Sequence, residues 1–377
     1  MSQSGVKVKG LRILVIDDLG IGGSIQTYAK ITKIVLITKR AELLKLQSPG
    51  VAVHRIPSRR FVEKFELPSV LDFVSYFASA TAISIIAATK YRVKKIVGVY
   101  SFPQGLVAML VGALTKNEVL IDTDGGDIDL LLRNRFIRAT LRAFTKRTTT
   151  ILALNPSKAK AIKRLLGHDA HVLSTIGVDA ERFPFVPFRS KSKWKAICVS
   201  RFSPEKGLFV LLNAVKGLAP LARQSNIELS LIGYGPEESR IREYIRFNAI
   251  EDIVRVVGPV DHDSISTQYS EAAIFILPSY REGLSVALLE AMSSGCLCVV
   301  SDIPSNMYVI SPGSNAITFR SGDHVDLTKR LNWIFSHQSE VALISKNASQ
   351  HVAENFSREK AIRDLAKLLS QSPSISK

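Results

Sequence analysis

The sequence predicts an α/β fold of the doubly wound kind, built twice. Three observations carry that expectation. Short apolar, β-branched runs alternate with longer helical patterns along the whole chain, which is how parallel strands covered on both faces by helices read. The 377 residues exceed what one hydrophobic core usually organises, so two domains are expected. A break in the alternation, "FPFVPFRSKSKWK" at 183–195, places prolines and a basic, serine-containing run between the halves.

In the first half the strand candidates are LRILVID (11–17), KIVLIT (33–38), VAVHRI (51–56), KIVGVY (95–100), EVLIDT (118–123) and TTILAL (149–154), with helical stretches between most of them. One such stretch, VLDFVSYFASATAISIIAAT (70–89), has about the length of a membrane span. Asp72 and several Ser and Thr dilute it and basic residues follow it, so it reads as a mostly buried helix. The second half offers KAICVS (195–200), IELSLIG (227–233), IVRVVG (253–258), AAIFILP (272–278) and LCVVS (297–301). The expected domains are 1–184, completed by a C-terminal helix at 357–377, and 185–356. Ligands in such sheets bind beyond the carboxyl ends of the strands. Two of these domains facing each other make an interdomain cleft.

Composition narrows the function. A hydrophobic content of 46% excludes general disorder. Cys198, Cys296 and Cys298 sit in strand-like runs at spacings that fit neither a zinc site nor a redox pair, which points to a reducing, cytoplasmic compartment. The basic VKVKG near the start leads straight into a strand, which predicts no secretory leader. Net charge is +17, and residues 1–188 hold 28 Lys and Arg against 14 acids while 189–377 hold 22 against 19. The N-terminal half therefore faces something anionic: nucleic acid, a membrane surface or a phosphorylated substrate.

Four stretches can carry chemistry. After the first strand, Gly20, Gly22 and Gly23 in DDLGIGGSIQTYAK open a helix where backbone amides attract phosphate, although a tight turn alone also needs glycine. VSRFSPEKGLFVLL (199–212) brings Arg201 and Lys206 to the edge of the next sheet, a pair suited to a diphosphate or simply solvated. LIGYGPEES (231–239) ends a strand with Gly233 and Gly235. In SYREGLSVALLEAMSSG (279–295), Glu282 precedes a helix expected to begin near Gly283, and Glu290 lies two turns further on a related face. The first amides, of Gly283, Leu284 and Ser285, are then available to an anion, and the two carboxylates to hydroxyl groups such as those of sugars. The plainer alternative makes Glu282 a helix N-terminal acid and Glu290 a partner of an arginine.

Together these stretches resemble the retaining glycosyltransferases of the GT-B fold, the large family four of nucleotide-sugar-dependent enzymes. SRFSPEKG is similar to that family's basic loop, EGLSVALLEAMSSG to its E-x7-E motif, and LIGYGPEES to the turn before the base pocket. IGGSIQTYA, LALNPSKAKAIKRL and STIGVDAERF are similar to segments of the family's first domain. The resemblance implies that Arg201 and Lys206 neutralise the donor diphosphate and that Glu290 bonds the ribose hydroxyls. It also implies that Glu282 bonds hydroxyls of the transferred sugar, that the amides of Gly283, Leu284 and Ser285 hold phosphate, and that Gly233 edges the nucleotide pocket. The same resemblance implies that Gly22 and Gly23 let the first domain close over donor and acceptor. The resemblance further implies a UDP- or GDP-sugar donor, no tightly bound cofactor, metal independence with no residues assigned to a metal, and a same-face departure that gives retention.

Three departures stand out. DGGD (124–127) puts Asp124 where the family often has histidine, DIPSNMY (302–308) lacks a glycine pair and puts Tyr308 at an acidic position, and the first helix is short. They keep open a catalytically impaired relative that acts as a partner protein. A basic nucleic-acid-binding protein is the other alternative, but no recognised module is present and the partner expectation is no nucleic acid. RNRFIRATLRAFTKR (133–147), with six Arg and Lys and no acid, has the composition of an interfacial helix. It points to a lipid-linked or glycolipid hydroxyl acceptor and an anionic membrane surface, with the protein on the inner face of the cell membrane.

Overall fold

A computed structural model describes residues 8, 11–17, 22–38, 51–56, 70–123, 128, 134–145, 150–188, 194–261 and 264–371. The chain forms two compact units, Met1–Ile176 with Ala361–Lys377, and Gly177–Lys360.

The first unit holds a seven-stranded sheet in the order β3-β2-β1-β4-β5-β6-β7. Its strands are β1 Arg12–Ile16, β2 Lys33–Thr38, β3 Val51–Arg55, β4 Lys95–Val99, β5 Glu118–Asp122, β6 Thr150–Ala153 and β7 His171–Val172. Every pairing is parallel. The central strands are apolar on both faces because helices cover both. On one side lie α2 (Val70–Lys90), α3 (Leu106–Thr115), α4 (Arg135–Thr145) and α5 (Pro156–Leu166), contributing Tyr76, Val107, Leu141 and Ile162 to one core. On the other, α1 (Gly22–Ile31) and the last helix, α13 (Arg358–Ser370), bring Tyr28, Ile31, Leu365 and Leu369 onto Ile13, Val15 and Leu36. α5 begins where Asn155 accepts the Lys158 amide at 2.9 Å, with Pro156 at its first position.

The second unit has a six-stranded sheet in the order β10-β9-β8-β11-β12-β13, again parallel throughout. Its strands are β8 Lys195–Val199, β9 Glu228–Ile232, β10 Val254–Gly258, β11 Ile274–Leu277, β12 Leu297–Ser301 and β13 Ile317–Phe319. One face carries α6 (Leu208–Gln224), α7 (Glu238–Phe247) and α11 (His324–Ser336). The other carries α8 (Ile265–Glu271), α9 (Val286–Ser293), α10 (Pro304–Val309) and much of α12 (Gln338–Asn355). Both sheets reverse their winding once, between β1 and β4 and between β8 and β11.

The eleven expected strands are all present, and β7 and β13 join them; two or three residues leave too little pattern to read. The units divide at 176/177, eight residues before the expected boundary. Backbone bonds Val178 N to Phe356 O (2.9 Å) and Arg358 N to Val178 O (2.9 Å) tie that stretch to the second unit, and Phe183 is buried in its core. The return crossing falls at 360/361, four residues after the expected 356/357. The helix at 70–90 corrects the expectation of a mostly buried element, since only 28% of the Phe73–Lys90 window is buried. It is long and apolar enough to cross a membrane by length and composition. Tyr76, Ala80, Ser84, Ala87 and Ala88 are buried, whereas Val74, Ala78, Ala82 and Ile86 face outward.

Candidate functional site

The winding reversal between β8 and β11 is where a doubly wound sheet opens a crevice at its carboxyl edge. The loops leaving those two strands carry the predicted residues. After β8 comes Ser200–Gly207 with Arg201 and Lys206; after β11 comes Pro278–Ser285 with Glu282.

Two glycines let these loops approach. Gly207, at φ 64°, caps the short turn Pro204–Lys206, and a Cβ there would meet the Pro278 carbonyl oxygen at 2.2 Å. Gly233, at φ 136°, lies so close to the β8 loop that a Cβ would sit 1.9 Å from the Ser200 oxygen. Backbone bonds complete the assembly: Ser200 N to Ile232 O (3.0 Å), Phe202 N to Tyr234 O (2.8 Å) and Tyr280 N to Glu205 O (2.8 Å).

At this junction Lys206 Nζ donates to both oxygens of Glu282, each at 2.8 Å. Glu282 is only 7% exposed at its side chain and also accepts the Ser279 hydroxyl at 2.6 Å. Arg201 is exposed, five positions before Lys206 in the same loop, and its charge acts on Glu205. Partial burial works to raise the Glu205 pKa, but the Ser203 hydroxyl, its own backbone, and the charges of Lys206 and Arg201 prevail and hold it below the usual carboxylate range. The Cys198 thiol beneath is pushed up to about 12 by burial and stays neutral.

Glu290 has other neighbours. It is 9% exposed within α9, and its pKa is raised to about 7 by burial, with the Tyr269 hydroxyl and the Arg182 charge opposing the rise. The Glu290–arginine alternative therefore describes part of its surroundings. Tyr269 is fully buried, and burial first, then the charge of Glu290, raises its own pKa.

One predicted feature is corrected. The helix starts at Val286 rather than near Gly283, because Ser285 is its N-cap and accepts the Leu288 amide at 3.3 Å. Gly283 and Leu284 belong to the preceding loop, Glu282 lies off the helix, and the two glutamates do not share a helical face. Gly22 and Gly23 begin α1 in the first unit. DGGD (124–127) lies outside the described residues; of the acidic run around it, Asp122 accepts hydrogen bonds from Tyr28 (3.2 Å) and Thr175 (3.0 Å). Tyr308 is 38% exposed and meets Phe356 edge-on at 6.0 Å. Sequence reasoning missed Ser279, Tyr269 and Arg182; Ser279, three residues before Glu282, is the one whose hydroxyl the pattern PSYRE could have suggested.

The basic helix α4 has one face turned inward and one outward. Ile137 and Leu141 are buried against the first unit's own core, and what faces out is Arg135, Phe136 at 78% exposure, Ala139, Arg142 and Ala143.

The chain is 30% identical over 207 residues to the putative colanic acid biosynthesis glycosyltransferase WcaL of Escherichia coli K12, covering 52% of this chain and 50% of that protein. It is 29% identical over 181 residues to the amylovoran biosynthesis glycosyltransferase AmsK of Erwinia amylovora, covering 46% and 44%. The chain thus spans about half the length of these curated relatives. In fold it matches Anabaena Alr3699/HepE, solved in complex with UDP and glucose, at a TM-score of 0.79 and 16% identity over 96% of this chain and all of that one. The whole described architecture is therefore the two-domain, parallel-sheet α/β fold of GT-B glycosyltransferases. Within it, residues 179–351, which contain the Lys206–Glu282 pair and Glu290, match the family described as glycosyl transferases group 1.

Proposed function

We propose that the protein is a retaining glycosyltransferase that moves a sugar from a UDP- or GDP-sugar to a hydroxyl acceptor in polysaccharide or glycan assembly. The observation that carries this reading is the Lys206–Glu282 pair at the reversal point of a sheet in the domain that matches the group 1 family, with Arg201 exposed in the same loop as Lys206. An ammonium has three N–H donors, and Glu282 occupies two directions of Lys206, which leaves a third for a phosphate oxygen. Arg201 adds a guanidinium that suits a diphosphate. The amides of Val286 and Ala287 open α9 immediately after the loop and favour an anion there. Glu282 keeps one acceptor direction, on Oε2, for a sugar hydroxyl, and Glu290, when ionised, accepts from ribose.

In the reaction, the bond from the sugar's anomeric carbon to the phosphate oxygen breaks, and its electron pair stays on that oxygen. The acceptor oxygen bonds to the same face of the carbon, and its proton passes to the leaving phosphate. Lys206 and Arg201 stabilise the charge that develops on the diphosphate, in the place a metal ion takes in other transferases.

The acceptor is a lipid-linked or glycolipid precursor, met at the cytoplasmic face of an anionic membrane. Support comes from the first unit, where α2 packs on α3 and α3 on α4. Outward from this layer stand Val74, Ala78, Ala82 and Ile86 at four-residue spacing, with Leu114 and Phe136, among Arg135 and Arg142. The testing experiment is thermal unfolding with UDP, GDP and their sugars, since a ligand of the folded state must raise its stability. The product's anomeric configuration, read by NMR, then decides retention, and a chelator that abolishes turnover removes metal independence.

A further inference from the structure

Glu282 is reached by a chain of buried polar groups that begins on a different element. Asn306 in α10 is 1% exposed, and its Nδ2 donates to the Ser301 carbonyl at 2.9 Å and the Ser301 hydroxyl at 3.3 Å. Ser301, fully buried at the end of β12, donates its one hydroxyl proton to the Ser279 carbonyl at 2.5 Å. Ser279, fully buried just past β11, donates in turn to Glu282 Oε1 at 2.6 Å. The directions agree with one another: a hydroxyl that receives an N–H from Asn306 has its own proton turned toward Ser279.

The chain fixes one peptide unit at both ends. The Ser279 carbonyl is held by Ser301, and the amide of the same peptide, on Tyr280, donates to the Glu205 carbonyl at 2.8 Å. Glu205 precedes Lys206, so the peptide that carries Glu282 forward is clamped between β12 and the loop of its ionic partner. Buried polar groups of this kind are favourable only when every member is satisfied, and here they are aimed at a carboxylate. Asn306 comes from DIPSNMY (302–308), the segment that lacks a glycine pair, and Ser301 immediately precedes it.

We propose that Asn306 and Ser301 are positioning residues that set the Glu282 carboxylate against the transferred sugar through the Ser279–Tyr280 peptide. This rests on the sugar-transfer reading above. Neither residue touches the donor; each fixes the angle at which Glu282 leaves the sheet edge and meets Lys206.

The test uses the full chain with Ser301→Ala, Asn306→Leu, Ser279→Ala and the double variant Ser301→Ala/Ser279→Ala. Turnover of the UDP- or GDP-sugar should fall about 10- to 100-fold in each single variant, as for a misplacement of about 1 Å. Affinity for the sugar-free nucleotide should stay within about twofold, because Glu282 serves the sugar. The double variant should lose no more than Ser279→Ala alone, since both act on one carboxylate. Independently of any donor, acylation of Lys206 followed by mass spectrometry should be several-fold faster in Ser301→Ala, whose Glu282 no longer holds the ammonium. Unchanged turnover with unchanged Lys206 labelling, parallel loss of nucleotide affinity, or multiplicative losses in the double variant would each overturn the proposal. Should Asn306→Leu fail to fold, Ser301→Ala, which removes one oxygen, decides the matter. A wild-type chain that takes neither nucleotide sugar defeats the sugar-transfer reading, while Lys206 labelling still decides the clamp.

Discussion

Lys206 Nζ lies 2.8 Å from both carboxylate oxygens of Glu282, although 76 positions separate the two in the chain. The pair closes the reversal point of the second sheet, where the proposed function sets a diphosphate against the cation and a sugar hydroxyl against the carboxylate. Lys206→Met should therefore lower turnover about 100- to 1000-fold, the range for removing one preorganised donor. It should also destabilise the fold by about 1–3 kcal/mol, because Glu282, nearly buried, is left without its counter-charge. Lys206→Met/Glu282→Gln should recover much of that stability but none of the activity. Steady-state kinetics and urea unfolding check both; a double variant no more stable than Lys206→Met shows that the pair carries no such coupling.

Glu290 gives a pH dependence with a definite sign. Burial raises its pKa from the ordinary 4.5 to about 7 in the folded protein, so between those values the native state holds a proton that the unfolded chain has released. This group's contribution to stability is therefore fully present below about 4.5 and lost as pH rises through about 7. The full span is on the order of 3 kcal/mol. Glu290→Gln should flatten that part of the stability profile, which urea unfolding from pH 5 to 8 measures as a difference between wild type and variant. A difference that stays constant across the range means Glu290 is ionised throughout. On the proposed ribose contact, nucleotide affinity should also tighten over the same interval in the wild type alone.

The strands were legible because parallel strands buried on both faces are apolar throughout, whereas the Pro- and Ser-containing break at 183–195 begins inside the second unit, whose first residue is Gly177. Arg201, Lys206 and Glu282 were legible one by one as residues just past strand ends. Their partnership was not, because it depends on β8 lying next to β11, a matter of strand order that no local pattern records. Asn306 gave no signal at all: its value comes from Ser301, five residues earlier but at the end of another element. The start of α9 was misplaced by reading Gly283 as the first helical residue, when Ser285 ahead of VALLEAM carried the capping signal.

Gly233 tests how closely the β8 and β9 loops must approach. At φ 136° the backbone is in a region that L side chains rarely adopt, and a Cβ would overlap the Ser200 oxygen at 1.9 Å. The obstruction is main chain and cannot rotate away. Gly233→Ala should cost about 2 kcal/mol or more, seen as a drop of several degrees in Tm. It should also weaken nucleotide binding, since Ser200 immediately precedes Arg201. A variant with wild-type Tm and affinity refutes the idea that this approach is required.

The outward face of the first unit makes the last prediction. Ile86 at 65% and Phe136 at 78% exposure lie on α2 and α4, helices of one layer, in the half of the chain that carries most of the excess positive charge. Transferring each side chain into the acyl boundary is worth about 1.5–3 kcal/mol, and basic residues nearby add attraction to anionic headgroups. Ile86→Asp and Phe136→Asp should each weaken binding to phosphatidylserine-containing vesicles about tenfold or more, while nucleotide affinity, which the proposed function assigns to the second unit, is unchanged. Wild-type binding should fall with added salt, because the basic part of the attraction is screened over about 8–10 Å at ordinary ionic strength. Equal affinity for anionic and phosphatidylcholine-only vesicles, or full binding by both Asp variants, would reject the membrane surface as the partner of this face.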